Sequence, residues 1–291
     1  VNAPVHRRSD RWALPRYGAP ESLFEAEATL SGAFETCKRW RHGLRQNGSA
    51  DPAREVFPER PCVLHFIASI EGGGAESMLR NLVLGTDRSR WRVVVVAVDA
   101  RAHPERAEQL RQGCDAFHDL QSSAYLRRET LKRLSRILRE ERPDIVQTWM
   151  HHADLVGGLA AKMAGVPKVV WSLHCREIHR SPGDSAAKVK LLEQALVRAS
   201  KRVPARIVSC SRAAIEDHAA LGYPRQKMRW IANGIDTARF APDAQAGLRL
   251  RLDLGLEETT PLLGFAGRFH EMKNVPLLLR AMARLRQSVP G

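Results

Sequence analysis

Cys62-Val63-Leu64-His65-Phe66-Ile67-Ala68-Ser69-Ile70-Glu71-Gly72-Gly73-Gly74-Ala75-Glu76-Ser77-Met78-Leu79-Arg80-Asn81-Leu82-Val83-Leu84 is the stretch on which the fold turns. Cys62 to Ile67 is a short apolar run of strand type, Glu76 to Leu84 has helical spacing, and a glycine turn joins them. The same alternation recurs along the chain. Arg92 to Val98 precedes a helical Glu105 to Gln112, and Ile145 to Thr148 precedes Asp154 to Ala164. Val169 to Leu173 is a further strand, and Ile207 to Cys210 precedes Arg212 to Leu221. Strands separated by helices imply right-handed crossovers and a parallel sheet covered on both faces, an α/β, Rossmann-like domain. Ligands of such sheets sit beyond the carboxyl ends of the strands. Functional loops are therefore expected after Ile67, Thr148, Leu173, Cys210 and Ala266.

Three regions emerge on either side of that pattern. Residues 1–60 are rich in Arg, Pro and small polar residues and read as an extension, with one amphipathic helix expected after Pro20 through Leu23, Ala26, Leu30, Ala33, Cys37, Trp40 and Leu44. Residues 61–245 form the Rossmann-like body. After a loop-rich stretch, Gly234 to Thr260, an apolar strand from Leu262 to Ala266 is expected to open a second α/β unit over 246–291.

Composition narrows the function. The 291 residues are 44% hydrophobic and carry a formal charge of +14. The longest apolar run, Val93 to Val98, falls far short of the roughly 20 residues of a membrane-spanning helix. Arg7, Arg8 and Arg11 have no apolar segment behind them, so no secretory signal is read there. The five cysteines show neither disulfide-framework nor zinc-ribbon spacing, which fits a reducing cytoplasm. With aromatics at 6% and no ring-interleaved basic tract, nucleic acid is not the expected partner. The basic residues lie instead on amphipathic stretches, Arg127 to Arg142 and Lys188 to Arg202. These read as solvated helix faces, or as a peripheral contact with anionic lipid on the inner face of a membrane.

The strand-end loops hold the chemistry. Glu71-Gly72-Gly73-Gly74-Ala75-Glu76 lacks the spacing of a dinucleotide fingerprint, yet its glycines let backbone amides approach a sugar or phosphate, and Glu76 suits a helix start. A simple tight turn is the plainer reading. His151 and His152 follow Thr148, and His174 follows Leu173, three histidines expected to face one crevice. Near the end, Gly267 and Arg268 are followed by Lys273 and Asn274 at the start of a helical pattern. A fork, a point charge and a helix N-terminus together form a cradle for a diphosphate. No metal-ligand pattern, P-loop or serine nucleophile elbow is present.

Taken in order, Gly72-Gly73-Gly74-Ala75-Glu76, His151-His152-Ala153-Asp154 with Gly165-Val166-Pro167, Ser209-Cys210-Ser211, Asn233-Gly234-Ile235-Asp236 with Phe240, and Gly267-Arg268 with Lys273-Asn274 resemble the retaining glycosyltransferases of family four. The resemblance runs from about Pro61 to Gly291. It implies a GT-B architecture of two facing Rossmann-like domains, acceptor mainly on the first and nucleotide-sugar donor mainly on the second. By the same resemblance, Arg268 and Lys273 take the donor diphosphate with Gly267 and Asn274, and His174 hydrogen-bonds the donor sugar. The Gly72 to Gly74 loop with Glu76 approaches the reacting groups, and His151 and His152 lie on the acceptor side. The implied co-substrate is a nucleotide-diphosphate sugar, with no cofactor and no metal, since no Asp-x-Asp motif occurs. The acceptor is a glycan, a lipid-linked molecule or a small molecule. Nothing after Lys273 matches the family's donor-binding glutamate pair, and Ala232 stands where a Pro is usual. The chain is accordingly expected to transfer sugar poorly by itself. A non-catalytic GT-B-like binding module and a GT-B sugar-nucleotide epimerase remain open alternatives.

Overall fold

A computed structural model describes residues 60–122, 128–176, 185–267, 269 and 273–288. The chain forms two compact units, Val1–Asp236 and Thr237–Gly291. The helix expected within 1–60 lies outside the described residues.

The first unit is a seven-stranded parallel sheet: β1 (Cys62–Ser69), β2 (Arg92–Asp99), β3 (Ala116–Asp119), β4 (Ile145–Trp149), β5 (Lys168–Leu173), β6 (Arg206–Ser209) and β7 (Met228–Trp230). Spatial order is β3-β2-β1-β4-β5-β6-β7. The chain therefore winds outward from β1 in one direction, crosses back, and winds outward again from β4. The reversal opens a crevice between the carboxyl ends of β1 and β4, where doubly wound folds bind ligands. The helices are α1 (Gly74–Gly85), α2 (Pro104–Gly113), α3 (Arg128–Glu141), α4 (His151–Met163), α5 (Ala186–Ser200) and α6 (Arg212–Ala220).

Side chains alternate between two cores because strand residues point to opposite faces in turn. Val63, Ile67, Val93, Val95 and Ile145 meet Leu79 and Val83 of α1 and Ala107 and Leu110 of α2. Leu64, Phe66, Val94, Val96, Val146, Val169 and Trp171 meet Leu134 and Ile137 of α3, Ala153 and Ala161 of α4, Leu196 of α5 and Ile215 of α6. Because β1 and β2 are buried on both faces, their residues read as unbroken apolar runs. Carboxylates pin the register at the amino ends of the strands: Asp144 accepts from Cys62 N and Asp115 from Val93 N, each at 2.8 Å. Glu141 at the end of α3 accepts from both Arg92 of β2 and His118 of β3.

Four features depart from the sequence reading. β3 and β7 were not expected: at four and three residues, with His118, Asp119 and Arg229 among them, they show no apolar run and are defined by pairing with β2 and β6. The stretch read as loop after Gly234 contains α7 (Ala244–Asp253), started by Asp243, whose side chain accepts from Ala246 N at 2.9 Å. None of its residues is buried, so no apolar stripe marked it. Conversely, residues 261–266 form no strand, since a strand needs a neighbour and none is described in the second unit. The helix expected after Lys273 is α8 (Val275–Ser288).

α4 comes unusually close to the sheet. A β-carbon on Gly157 would overlap the Phe66 ring, and one on Gly158 would lie 2.6 Å from Trp171 Nε1. By contrast, a β-carbon on Gly74 would meet nothing within 4 Å. Gly157→Val is expected to cost at least about 1–3 kcal/mol through overpacking, whereas Gly74→Ala at the start of α1 should be neutral or stabilise by up to ~1 kcal/mol. Urea unfolding of the two variants checks the contrast, and equal effects would contradict the packing described.

Candidate active site

Three loops meet at the carboxyl edge of the sheet around the β1–β4 reversal. The first follows β1. Gly72 has φ +103°, a conformation that strains any side chain, and a β-carbon there would run into the Arg106 guanidinium of α2. Arg106 Nη1 donates to Ile70 O at 3.3 Å, so a cation sits directly on the glycine loop. Glu76 folds back over the loop, its Oε2 filling the place of a Gly73 side chain, as the positive end of α1 favours. Of the three glycines, only Gly72 is demanded by backbone conformation.

The second loop joins β4 to α4 through Met150, a non-glycine residue at φ +74° and ψ 157°. Such a conformation stores about 1–3 kcal/mol and persists only when its surroundings enforce it. Here Met150 N donates to Ser172 O at 3.1 Å, and Asp154 N donates to Met150 O at 2.8 Å. The turn drives His151 inward and leaves His152 exposed. His151 joins a buried chain of proton donors. His218 Nδ1 lies 2.8 Å from Ala214 O and donates to it, and since burial lowers the titration of this ring and keeps it neutral, its Nε2 accepts from His151 Nε2–H at 3.0 Å. His151 Nδ1 then accepts from the Cys175 thiol at 3.6 Å. Below it, Asp154 Oδ1 accepts from Thr148 Oγ1 at 2.6 Å, while the buried Oδ2 has no hydrogen-bond partner. Burial pushes the Asp154 carboxyl well above the usual carboxylate range and the Cys175 thiol up to about 12.

His174 follows β5 on the other face of the sheet. Its ring stacks on Trp149 at 5.1 Å and 16°, and Trp149 Nε1 donates to His65 Nδ1 at 3.4 Å. Desolvation lowers both His174 and His65 to about 4, so both are neutral at physiological pH. The expectation of three histidines in one crevice resolves into three situations: His174 half-buried against Trp149, His151 buried against His218, and His152 exposed. At the rim, Arg176 and Asp217 form a two-contact ion pair at 2.6 and 3.2 Å.

In the second unit, Lys273 and Asn274 stand immediately before α8, and both are exposed. Asn274 has φ +46°, and its Oδ1 accepts from Leu277 N at 3.3 Å, a cap on the helix. Gly267 is exposed at a bend, and Arg268 lies outside the described residues. Among the described residues no group of three His, Cys, Asp or Glu is placed to hold a metal ion. Sequence reasoning missed His65, Trp149, Cys175, His218 and Arg106 as parts of these loops. His65 carried a signal, a lone polar residue inside an apolar strand. The others are joined only by the fold.

The Glycosyltransferase Family 4 model matches residues 72–239, more than half of the chain. The chain belongs to glycosyltransferase family 4. Its relatives in that family include EpsF of Bacillus subtilis (strain 168), 27% identical over 233 residues, covering 77% of this chain and 58% of that protein. An Escherichia coli UDP-Gal:alpha-D-GlcNAc-diphosphoundecaprenol alpha-1,3-galactosyltransferase is 29% identical over 157 residues, covering 54% of this chain and 40% of its own length. The chain thus spans about half the length of the curated relatives it matches. Among solved structures, Anabaena HepE in complex with UDP-glucose superposes with a TM-score of 0.52 at 20% identity, covering 67% of this chain and 50% of the other. The family 4 chain has a Rossmann-like α/β fold of GT-B type.

The buried histidines set the pH response of this family 4 domain. His65, His174 and His218 are all shifted down, so the unfolded chain takes up their protons first. Stability is complete above the ordinary imidazole value of 6.5 and falls as pH drops toward about 4. Asp154, shifted up, has the opposite sign, but it is one carboxyl against three imidazoles. The melting temperature should therefore fall between pH 7 and pH 4.5, with a shallower slope in His174→Gln. A melting temperature that rises on acidification would contradict this assignment.

Proposed function

We propose that the whole protein transfers a sugar from a nucleotide-diphosphate sugar to a lipid-linked acceptor, with retention at the anomeric carbon and without a metal ion. The observation that carries this reading is the convergence of the Gly72 loop and His174 at the β1–β4–β5 edge of a family 4 domain. Departure of a nucleoside diphosphate places negative charge on phosphate oxygens, and fixed positive groups stabilise it most when they need not reorganise. Arg268 and Lys273 fill that role, with Gly267 giving room and Asn274 opening α8, whose free N–H groups and dipole favour an anion. His174, neutral and half-buried, offers one donor and one acceptor to sugar hydroxyls. The Gly72 to Gly74 loop brings backbone amides and the Glu76 carboxylate beside the acceptor. His151 holds the turn from within, and His152, exposed next to it, lies on the acceptor side.

The lipid-linked acceptor is supported by the Escherichia coli relative, whose name specifies a diphosphoundecaprenol substrate. It is supported too by the surfaces of α3 and α5. Arg128, Lys132, Arg136 and Arg139 on α3, and Lys188, Lys190 and Arg198 on α5, are exposed. Arg136, Arg139 and Arg142 also line a shallow depression with Glu140. Such faces attract anionic lipid at roughly 1 kcal/mol per cation near the surface. No helix among the described residues is long and apolar enough to cross a membrane, so the contact proposed is peripheral, on the cytoplasmic side.

Transfer is tested with labelled nucleotide sugars and a polyprenyl-diphosphate-linked acceptor, following the anomer of the product in the presence of a chelator. An inverted product, isomerised nucleotide sugar, or loss of activity with chelator would each overturn the corresponding part. Arg268→Ala and Lys273→Ala should each lower kcat/KM by on the order of 2–4 kcal/mol of transition-state stabilisation, and unchanged turnover in both would remove them from the site. In vesicle sedimentation, binding should rise with anionic lipid content and fall with salt. Charge reversal at Arg136 and Arg139 should weaken it severalfold, and binding indifferent to lipid charge would refute the peripheral contact.

A further inference from the structure

The one aromatic residue at the carboxyl end of β4 links two histidines on neighbouring strands. In the sheet register Trp149 lies opposite Ile67 of β1 and Ser172 of β5. His65 is thus two residues before its partner on one side, and His174 two residues after its partner on the other. Both are diagonal neighbours on one face, within reach of an aromatic side chain. From below, His65 meets the indole edge-on, with ring centroids 6.0 Å apart, and accepts its N–H at 3.4 Å. From above, His174 lies flat on the same indole. Beside them Gln147 Nε2 donates to Ser172 Oγ at 2.7 Å, which fills the remaining space between β4 and β5 with a satisfied polar pair.

We infer that His65 and Trp149 are positioning residues for His174. The indole N–H has one acceptor inside the sheet, and that bond fixes the plane of the ring. A fixed indole leaves His174 one plane in which its face is covered by that ring. His65 serves only while its Nδ1 is unprotonated, and its burial keeps it so. Trp149 thus transmits to the half-buried His174 an orientation set by His65, which is only 2% exposed. This inference rests on the proposed role of His174 at the donor sugar.

The test is an NMR measurement on the full chain with ring-labelled histidine at neutral pH. A histidine stacked on an indole has its ring protons shifted upfield by the ring current. The expected result is an upfield His174 resonance in the wild type, lost in Trp149→Leu and only partly restored in Trp149→Phe, which keeps a ring to stack on but lacks the N–H that His65 anchors. His65→Phe should leave the domain folded but reduce the His174 shift, because the indole loses its anchor. A His174 shift unchanged in Trp149→Leu, or unchanged in His65→Phe, would overturn the inference. The readout does not depend on turnover. If His174→Ala transferred sugar normally while these shifts behaved as expected, the role of His174 at the sugar would fail and the positioning would stand.

Discussion

The approach of α4 to the sheet is the contact on which the site depends. Gly157 lies on Phe66 of β1 and Gly158 on Trp171 of β5, with no side chain between helix backbone and rings. A helix held that low cannot begin with a relaxed turn after β4. The chain instead bends through Met150 at φ +74°, and that bend drops His151 into the core while its neighbour His152 faces solvent. Strain at Met150 is offset by the packing of the whole helix, including the fully buried Ala153 and Ala161. Removing the glycines would therefore act on the turn before it acted on any residue of the crevice.

Once His151 is inside, its partners follow from proton counting. A backbone carbonyl can only accept, so Nδ1 of His218 carries a proton; with burial keeping that ring neutral, its Nε2 accepts from His151, and His151 Nδ1 accepts from the Cys175 thiol. Cys175 follows His174 directly, so the thiol ties the β5 loop to α4 from one face while the indole of Trp149 supports it from the other. The loop carrying His174 is thus held from both sides of the sheet by groups that bear no charge.

Much of this was legible in the sequence, and the illegible parts share a cause. β1, β2, β4 and β5 are buried on both faces and announce themselves as apolar runs; β3 and β7 exist because a neighbour pairs with them, which a local window does not contain. α7 buries nothing and so lacks a stripe. The histidines at strand ends were visible as candidates, but their separation was not. It depends on parity: His174 shares a face with Ser172 and Trp149, whereas His151 follows the turn to the face of Thr148 and Asp154. Counting residues along one strand gives the face, but the partner that occupies it comes from another strand. His218 lies 67 residues from His151, and Trp149 84 residues from His65. No spacing motif spans such distances.

Charge is distributed in a way that bears on the proposed reaction. At the carboxyl edge of the first unit, burial holds His65 and His174 neutral and favours the protonated form of Asp154. Arg176 is paired there with Asp217, while Arg106, bonded to Ile70 O, keeps its charge beside the glycine loop of β1. Other cations lie away from this edge, on the outward faces of α3 and α5, which together carry eight Lys or Arg against four Glu. A neutral His174 suits a sugar, whose hydroxyls need donors and acceptors in fixed positions and whose reacting carbon turns electron-poor during transfer. A full positive charge beside that carbon would oppose the transition state. The diphosphate has the opposite need, which the proposal assigns to Arg268, Lys273 and the amino end of α8.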